Sequence, residues 1–180
     1  MKRIPRNLFF IAFSAGIISF TSCKENKESA TDATQEDVEM TQEGNAKTMA
    51  QNAKFDDEKV ASEYAAYLQL KDALVATDPN AAKKAAKKMT GFENAEIADL
   101  ATKISEETAI KAQRKVFSEL TVLMEPVLEN AIASGEIYKQ FCPMAFDGKG
   151  ASWFAASEEI NNPYFGDKML HCGRIEKTIQ

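Results

Sequence analysis

Residues 56–79 read DDEKVASEYAAYLQLKDALVATDP, and the fold class turns on this stretch. Val60, Tyr64, Tyr67, Leu68, Leu74 and Val75 fall at i, i+4, i+7, i+8, i+14 and i+15, the helical spacing that lays one apolar stripe along an amphipathic helix. The closing Asp78-Pro79 reads as an N-cap with Pro at the first helical position, where the missing N–H costs nothing. It opens an Ala-rich second helix that should end near Met89, with Gly91 placed for a left-handed cap. On that helix Lys83, Lys84, Lys87 and Lys88 form a solvated face opposite a packing stripe of Ala82, Ala85, Ala86 and Met89.

Working outward, Asn94 caps a third helix through Ile97, Leu100, Ala101 and Ile104, and a fourth carries Ile110, Phe117, Leu120, Met124, Val127 and Leu128 toward Gly135. Pro126 should kink or interrupt this fourth helix, because it offers no donor to the carbonyl of Val122. Past Gly135 the texture changes. Residues 137–142 alternate in the two-residue period of a strand, and turn signals follow at residues 147–150, Asn162-Pro163 and Gly166-Asp167. Trp153, Phe154, Tyr164 and Phe165 add aromatic mass without clear periodicity. The expected fold is therefore mainly α: a helical bundle of about four helices with a short, irregular, β-containing C-terminal tail. No internal repeat is visible, and residues 57–180 are about the size of one ordinary domain.

The start of the chain reads as an address. Lys2, Arg3 and Arg6 precede an apolar run from Leu8 to Phe20, shorter than the roughly 20 residues that span a bilayer. Phe20-Thr21-Ser22-Cys23 then resembles a bacterial lipobox, cleaved before a Cys whose thiol carries diacylglycerol. Residues 1–22 are read as a lipoprotein signal peptide and residues 23–56 as a disordered acidic tether. Residues 57–180 are read as the helical domain with a C-terminal Cys/Met/His motif. The stretch 24–54 has no aromatic residue and is dominated by polar and acidic ones, too little apolar surface to offset its ordering entropy. As a coil it would reach roughly 30 Å. The expected location is exported, in the periplasm or at the cell surface, with membrane attachment through lipidated Cys23.

Composition narrows the function. With 44% hydrophobic and 27% charged residues in 180, the chain has the makeup of a globular protein. Its net charge of -5 disfavours nucleic-acid partners, which need a basic face. A single His rules out zinc centres built from several imidazoles. The tail holds Cys142-Pro143-Met144 and Met169-Leu170-His171-Cys172-Gly173, a collection of soft donors. In an extended segment Cys142 and Met144 share a side, and in a helical turn Met169 and Cys172 are neighbours. Thiolate and thioether select Cu(I), and by analogy Ag(I), over Mg or Ca. The candidate metal ligands are thus Cys142, Met144, Met169, His171 and Cys172. The competing reading is a Cys142–Cys172 disulfide, formed in an oxidising compartment, within a protein-interaction module that holds no metal. An enzyme is not expected: no Cys-x-x-Cys, phosphate loop or dinucleotide fingerprint is present, and Cys142 with His171 lacks an orienting third group.

The pattern Tyr138-x-x-Phe141-Cys142-Pro143-Met144-Ala145-Phe146, Gly148-Lys149-Gly150-Ala151-x-Trp153, and Ile160-x-Asn162-Pro163-Tyr164-Phe165-Gly166-Asp167-x-Met169-Leu170-x-Cys172-Gly173 resembles a bacterial domain of unknown function. That domain occurs in small exported lipoproteins and at the C-terminus of Cus-type copper/silver efflux adaptors. The resemblance extends back to Tyr64 and includes residues 67–75 and Gln113-Arg114-x-x-Phe117. It implies copper-related company in the cell envelope, with an efflux adaptor or another envelope protein as partner. Members often carry His before the first Cys, where this chain has Phe141; His171 beside Cys172 would then be the nitrogen donor.

Overall fold

The computed structural model describes residues 53–180; the stretch read as a signal peptide, Cys23 and nearly all of the stretch read as a tether lie outside the described residues. Chain order gives β1 (Lys54–Phe55), α1 (Glu58–Val75), α2 (Pro79–Lys87), α3 (Ala95–Glu106) and α4 (Ile110–Ala131). After them come β2 (Ile132–Ser134), β3 (Ile137–Cys142), β4 (Ala151–Ala155) and β5 (Arg174–Ile179). None of the described helices is long and apolar enough to cross a membrane.

Local chemistry sets the helix starts. Asp57 Oδ1 accepts from Lys59 N at 2.8 Å. Asp78 Oδ1 accepts from Asn80 N and Ala81 N at 2.9 Å each. Asn94 Oδ1 accepts from Glu96 N and Ile97 N at 3.0 and 3.2 Å. Each cap satisfies donors that a helix start otherwise leaves open. The ends differ from expectation in two places. Gly91 is not left-handed; α2 stops at Lys87, and the chain leaves it through tight bonds from Lys88 N to Ala85 O and Met89 N to Ala86 O. Pro126 does not interrupt α4, which runs on to Ala131 with Pro126 inside it. Val122, whose carbonyl would have met the missing donor, is 66% exposed, so water can solvate that site.

Folding starts before Asp57, the boundary read from the sequence. Lys54–Phe55 pairs antiparallel with β2, Ala53 is buried, and the Phe55 ring meets Tyr64 edge-on at 5.6 Å. The C-terminal part is also more regular than expected. β3 is the centre of a three-stranded antiparallel sheet ordered β4-β3-β5, with Gln140 opposite Trp153 and Phe141 opposite Arg174. The helices cover one face: Lys139 of β3 pairs with Glu125 of α4 at 2.8 Å, and Phe154 packs against Tyr67 of α1. Segment 156–173 covers the other, where the buried Gln140 donates to the carbonyls of Ser157 and Glu159, and Trp153 meets Tyr164 edge-on.

Tyr67 joins the helices to this sheet. It is fully buried, its ring stacks on Phe117 at 5.2 Å, and its hydroxyl bonds Thr121 Oγ1 at 2.9 Å. The same oxygen accepts the backbone N–H of Phe154 at 3.1 Å, a donor on the edge strand that no neighbouring strand takes. A second tie is Arg114 of α4, which donates to Pro163 O at 2.7 Å and to Leu74 O and Thr77 Oγ1 at 2.9 and 3.0 Å. Thr77 takes φ +56 to close the α1 end, and Gly166 sits so close that a Cβ there would fall 2.3 Å from Thr77 Oγ1.

Replacing Tyr67 with Phe should keep the ring packing while leaving Thr121 and the Phe154 N–H without their partner, a loss of about 1–3 kcal/mol by urea titration. An unchanged midpoint would contradict this role. Burial also pushes the Tyr64 and Tyr67 phenols above the ordinary tyrosine value. The folded chain therefore keeps protons that the unfolded chain releases near pH 10, and stability should fall as pH rises above about 10. Flat urea midpoints from pH 9 to 11 would refute it.

Candidate functional site

Cys142 is the last residue of β3 and is fully buried; Cys172 lies two residues before β5 and is half-buried. Because Phe141 faces Arg174 in the antiparallel register, the next residues on each side bring both cysteines to the same end of the sheet. Their Sγ atoms are 3.5 Å apart, both as free thiols. The Cys172 thiol is pushed up from its ordinary value, first by its hydrogen bond with Cys142 and then by burial.

A single buried side chain shapes the turn that carries Cys172. Asn162 Nδ2 donates to Cys172 O at 2.6 Å, and its Oδ1 accepts from Tyr164 N at 2.8 Å. Its backbone N–H bonds Leu170 O at 2.8 Å. Gly173 follows at a point of close approach, where a Cβ would lie 2.8 Å from the Trp153 ring and 3.2 Å from Phe141 O. Asn162 and Gly173 are positioning residues. The sequence shows Asn162-Pro163 only as a turn signal, since a buried Asn bonded to distant backbone has the same local signature as a solvated one.

The other expected donors are arranged differently. Met144 is 54% exposed, on the turn just after Cys142. Met169 is half-buried, and its carbonyl accepts from Cys172 N at 3.0 Å. His171 is exposed, with Nδ1 2.8 Å from Ile160 O. Since a carbonyl only accepts, Nδ1 carries the proton in this bond, and in the neutral tautomer Nε2 is the nitrogen with the lone pair. Among the described residues no three His, Cys, Asp or Glu gather as a metal-holding group. The structure thus brings Cys142 and Cys172 into contact and places Met144, Met169 and His171 beside them in the chain. Two sulfurs fit a soft ion of low coordination number and fall short of the four donors of a structural zinc site.

On the opposite, helix-facing side of the sheet lies an open groove of about 360 Å³ between α4 and the strands, lined by Val122, Glu125, Lys139, Phe141 and Ser152 among others. Gly150 borders it, at φ +78, where a Cβ would meet the Phe141 ring at 2.3 Å.

Asn162→Ala should strand the Tyr164 N–H and release the Cys172 turn, at a cost of about 1–3 kcal/mol in urea unfolding. It should also speed alkylation of the thiols in the folded protein. Unaltered stability and unaltered alkylation would show that Asn162 does not hold the turn.

A family model described as a protein of unknown function (DUF3347) matches residues 64–135. No curated protein and no solved structure matches the chain. The matched stretch runs from Tyr64 in α1 to Gly135, just past β2, and takes in residues 67–75 and Gln113 to Phe117. The tail pattern from Tyr138 to Gly173, with both cysteines, lies beyond it. Over its helical part, then, the chain is similar to an uncharacterised domain family whose description assigns no function.

Proposed function

We propose that this chain is an exported, lipid-anchored domain of the cell envelope that binds a soft monovalent ion, Cu(I) or Ag(I), through Cys142 and Cys172. It would hold the ion for an envelope partner, such as a metal efflux adaptor. The observation that supports the reading is the 3.5 Å contact between two reduced sulfurs separated by a long loop in the chain. Thiolate donors suit ions of this softness, and few donors suffice for them. Met144 is exposed and Met169 half-buried, so either could add a thioether as an ion enters, and His171 Nε2 is the remaining nitrogen donor. Nothing in this role calls for catalysis. Anchoring rests on Cys23 carrying diacylglycerol, in the periplasm or at the cell surface.

A second reading, a disulfide-stabilised interaction module without metal, is favoured by the same separation. The sulfurs stand only about 1.5 Å farther apart than a bonded pair, a gap that side-chain rotation can close. The groove beside Phe141 would then be the part that meets a partner.

Cu(I) competition against a calibrated chelator on freshly reduced protein separates the two. The metal reading expects one Cu(I) per chain. Cys142→Ser and Cys172→Ser should each weaken binding by more than the roughly 10–100-fold typical of losing an outer-shell partner, and Met169→Leu by less. Equal retention by the Cys variants and the unaltered protein would leave the disulfide module standing. For the anchor, Cys23→Ser should move the protein out of the membrane fraction; unchanged fractionation would rule out lipidation there.

A further inference from the structure

The two sulfurs differ in what can reach them. Cys142 is fully buried at the end of the central strand, opposite Ala151. Cys172 is half-buried on the neighbouring turn and touches Cys142 sulfur to sulfur. A reagent arriving from solvent therefore meets Cys172 first, and Cys142 can react with it only through Cys172. The backbone around Cys172 is fixed by Asn162 and by the close approach at Gly173, so the order does not depend on a mobile turn.

We infer that the pair is a site of ordered thiol–disulfide exchange with small disulfides, in which Cys172 is the entry thiol and Cys142 the resolving thiol. In the first step the Cys172 thiolate attacks one sulfur of a disulfide RSSR. The bond between Cys172 and SR forms, the S–S bond of the reagent breaks, and the expelled RS⁻ takes a proton. In the second, the Cys142 thiolate attacks Cys172 Sγ, forms the Cys142–Cys172 bond and expels the second RS⁻, which is protonated in turn. The two cysteines lose two electrons and two protons, and RSSR becomes two RSH. Reduction enters by the same sulfur: an external thiolate attacks Cys172 and Cys142 leaves. Resting on the soft-ion reading, the same closure would switch metal binding off, since both donors are consumed.

The test uses an aromatic disulfide that releases a coloured thiol, on reduced protein carrying Cys23→Ser in every variant. The unaltered pair should release two equivalents and end as an internal disulfide by mass. Cys142→Ala should release one equivalent and remain a mixed disulfide at Cys172. Cys172→Ala should react at least about tenfold more slowly than Cys142→Ala. Should Cys172→Ala not fold, judged by Trp153 fluorescence, Cys172→Ser serves the same comparison. Equal rates at the two cysteines, or an unaltered protein that stalls as a mixed disulfide, would overturn the order. Cu(I) competition on the same samples separates the readings. Copper retained after oxidation overturns the switch. Copper never bound, with the exchange order intact, overturns the soft-ion reading and leaves the exchange site established.

Discussion

The Tyr67 hydroxyl is the constraint on which the rest depends. An edge strand laid against a helical layer carries backbone donors that neither layer satisfies by itself, and each one left buried and unmade costs about as much as a lost hydrogen bond. Tyr67 meets that need for Phe154 while its ring fills the space against Phe117. On the same edge the Tyr164 hydroxyl donates to Ser152 O, so β4 is closed by two tyrosines from different parts of the chain. The sheet is thereby fixed in position on the helices.

That position decides where the sulfurs go. With β4 held, β3 lies between β4 and β5, and the antiparallel register sets Phe141 beside Arg174. Cys142 then projects to the buried face, one residue beyond Phe141. The opposite face is tied to α4 by charge: Lys139 with Glu125, and Lys177 with Glu129. The Lys139–Glu125 pair is largely shielded from solvent, whereas the Lys177–Glu129 pair is more exposed and contributes modestly, serving mainly to fix register. Cys172 arrives by a separate route, through the Arg114 tie to Pro163 and the Asn162 bonds to the following turn. Two supports, linked through Tyr164, thus converge on one contact between sulfurs.

What the sequence disclosed follows the range of the interactions. The caps at Asp78 and Asn94, and the strand at residues 137–142, could be read because their causes lie within a few residues. Thr77 could not, since a left-handed Thr is set by the Arg114 and Gly166 contacts around it, while Gly91, which has the freedom, does not use it. β4 showed no alternation because Trp153, Phe154 and Ala155 are all buried, between the helices and segment 156–173. β5 is exposed along most of its length and carries almost no apolar pattern. The five soft donors were legible as residue types; that two of them meet rests on strand pairing across a long loop, which local pattern does not encode. The buried role of Asn162 was hidden for the same reason.

The central claim is that helices and sheet are one cooperative unit, so that the sulfur pair exists only when the helical layer is folded. Trp153 is the chain's single Trp and is fully buried in the sheet, whereas the far-ultraviolet circular dichroism comes mostly from α1 to α4. Equilibrium urea unfolding of the reduced protein followed by both signals tests the claim directly. The account expects the two transitions to coincide in midpoint and slope. A Trp153 transition that completes while the helical signal stays native would contradict it, because the sheet and its thiols would then be an appendage rather than a product of the same core.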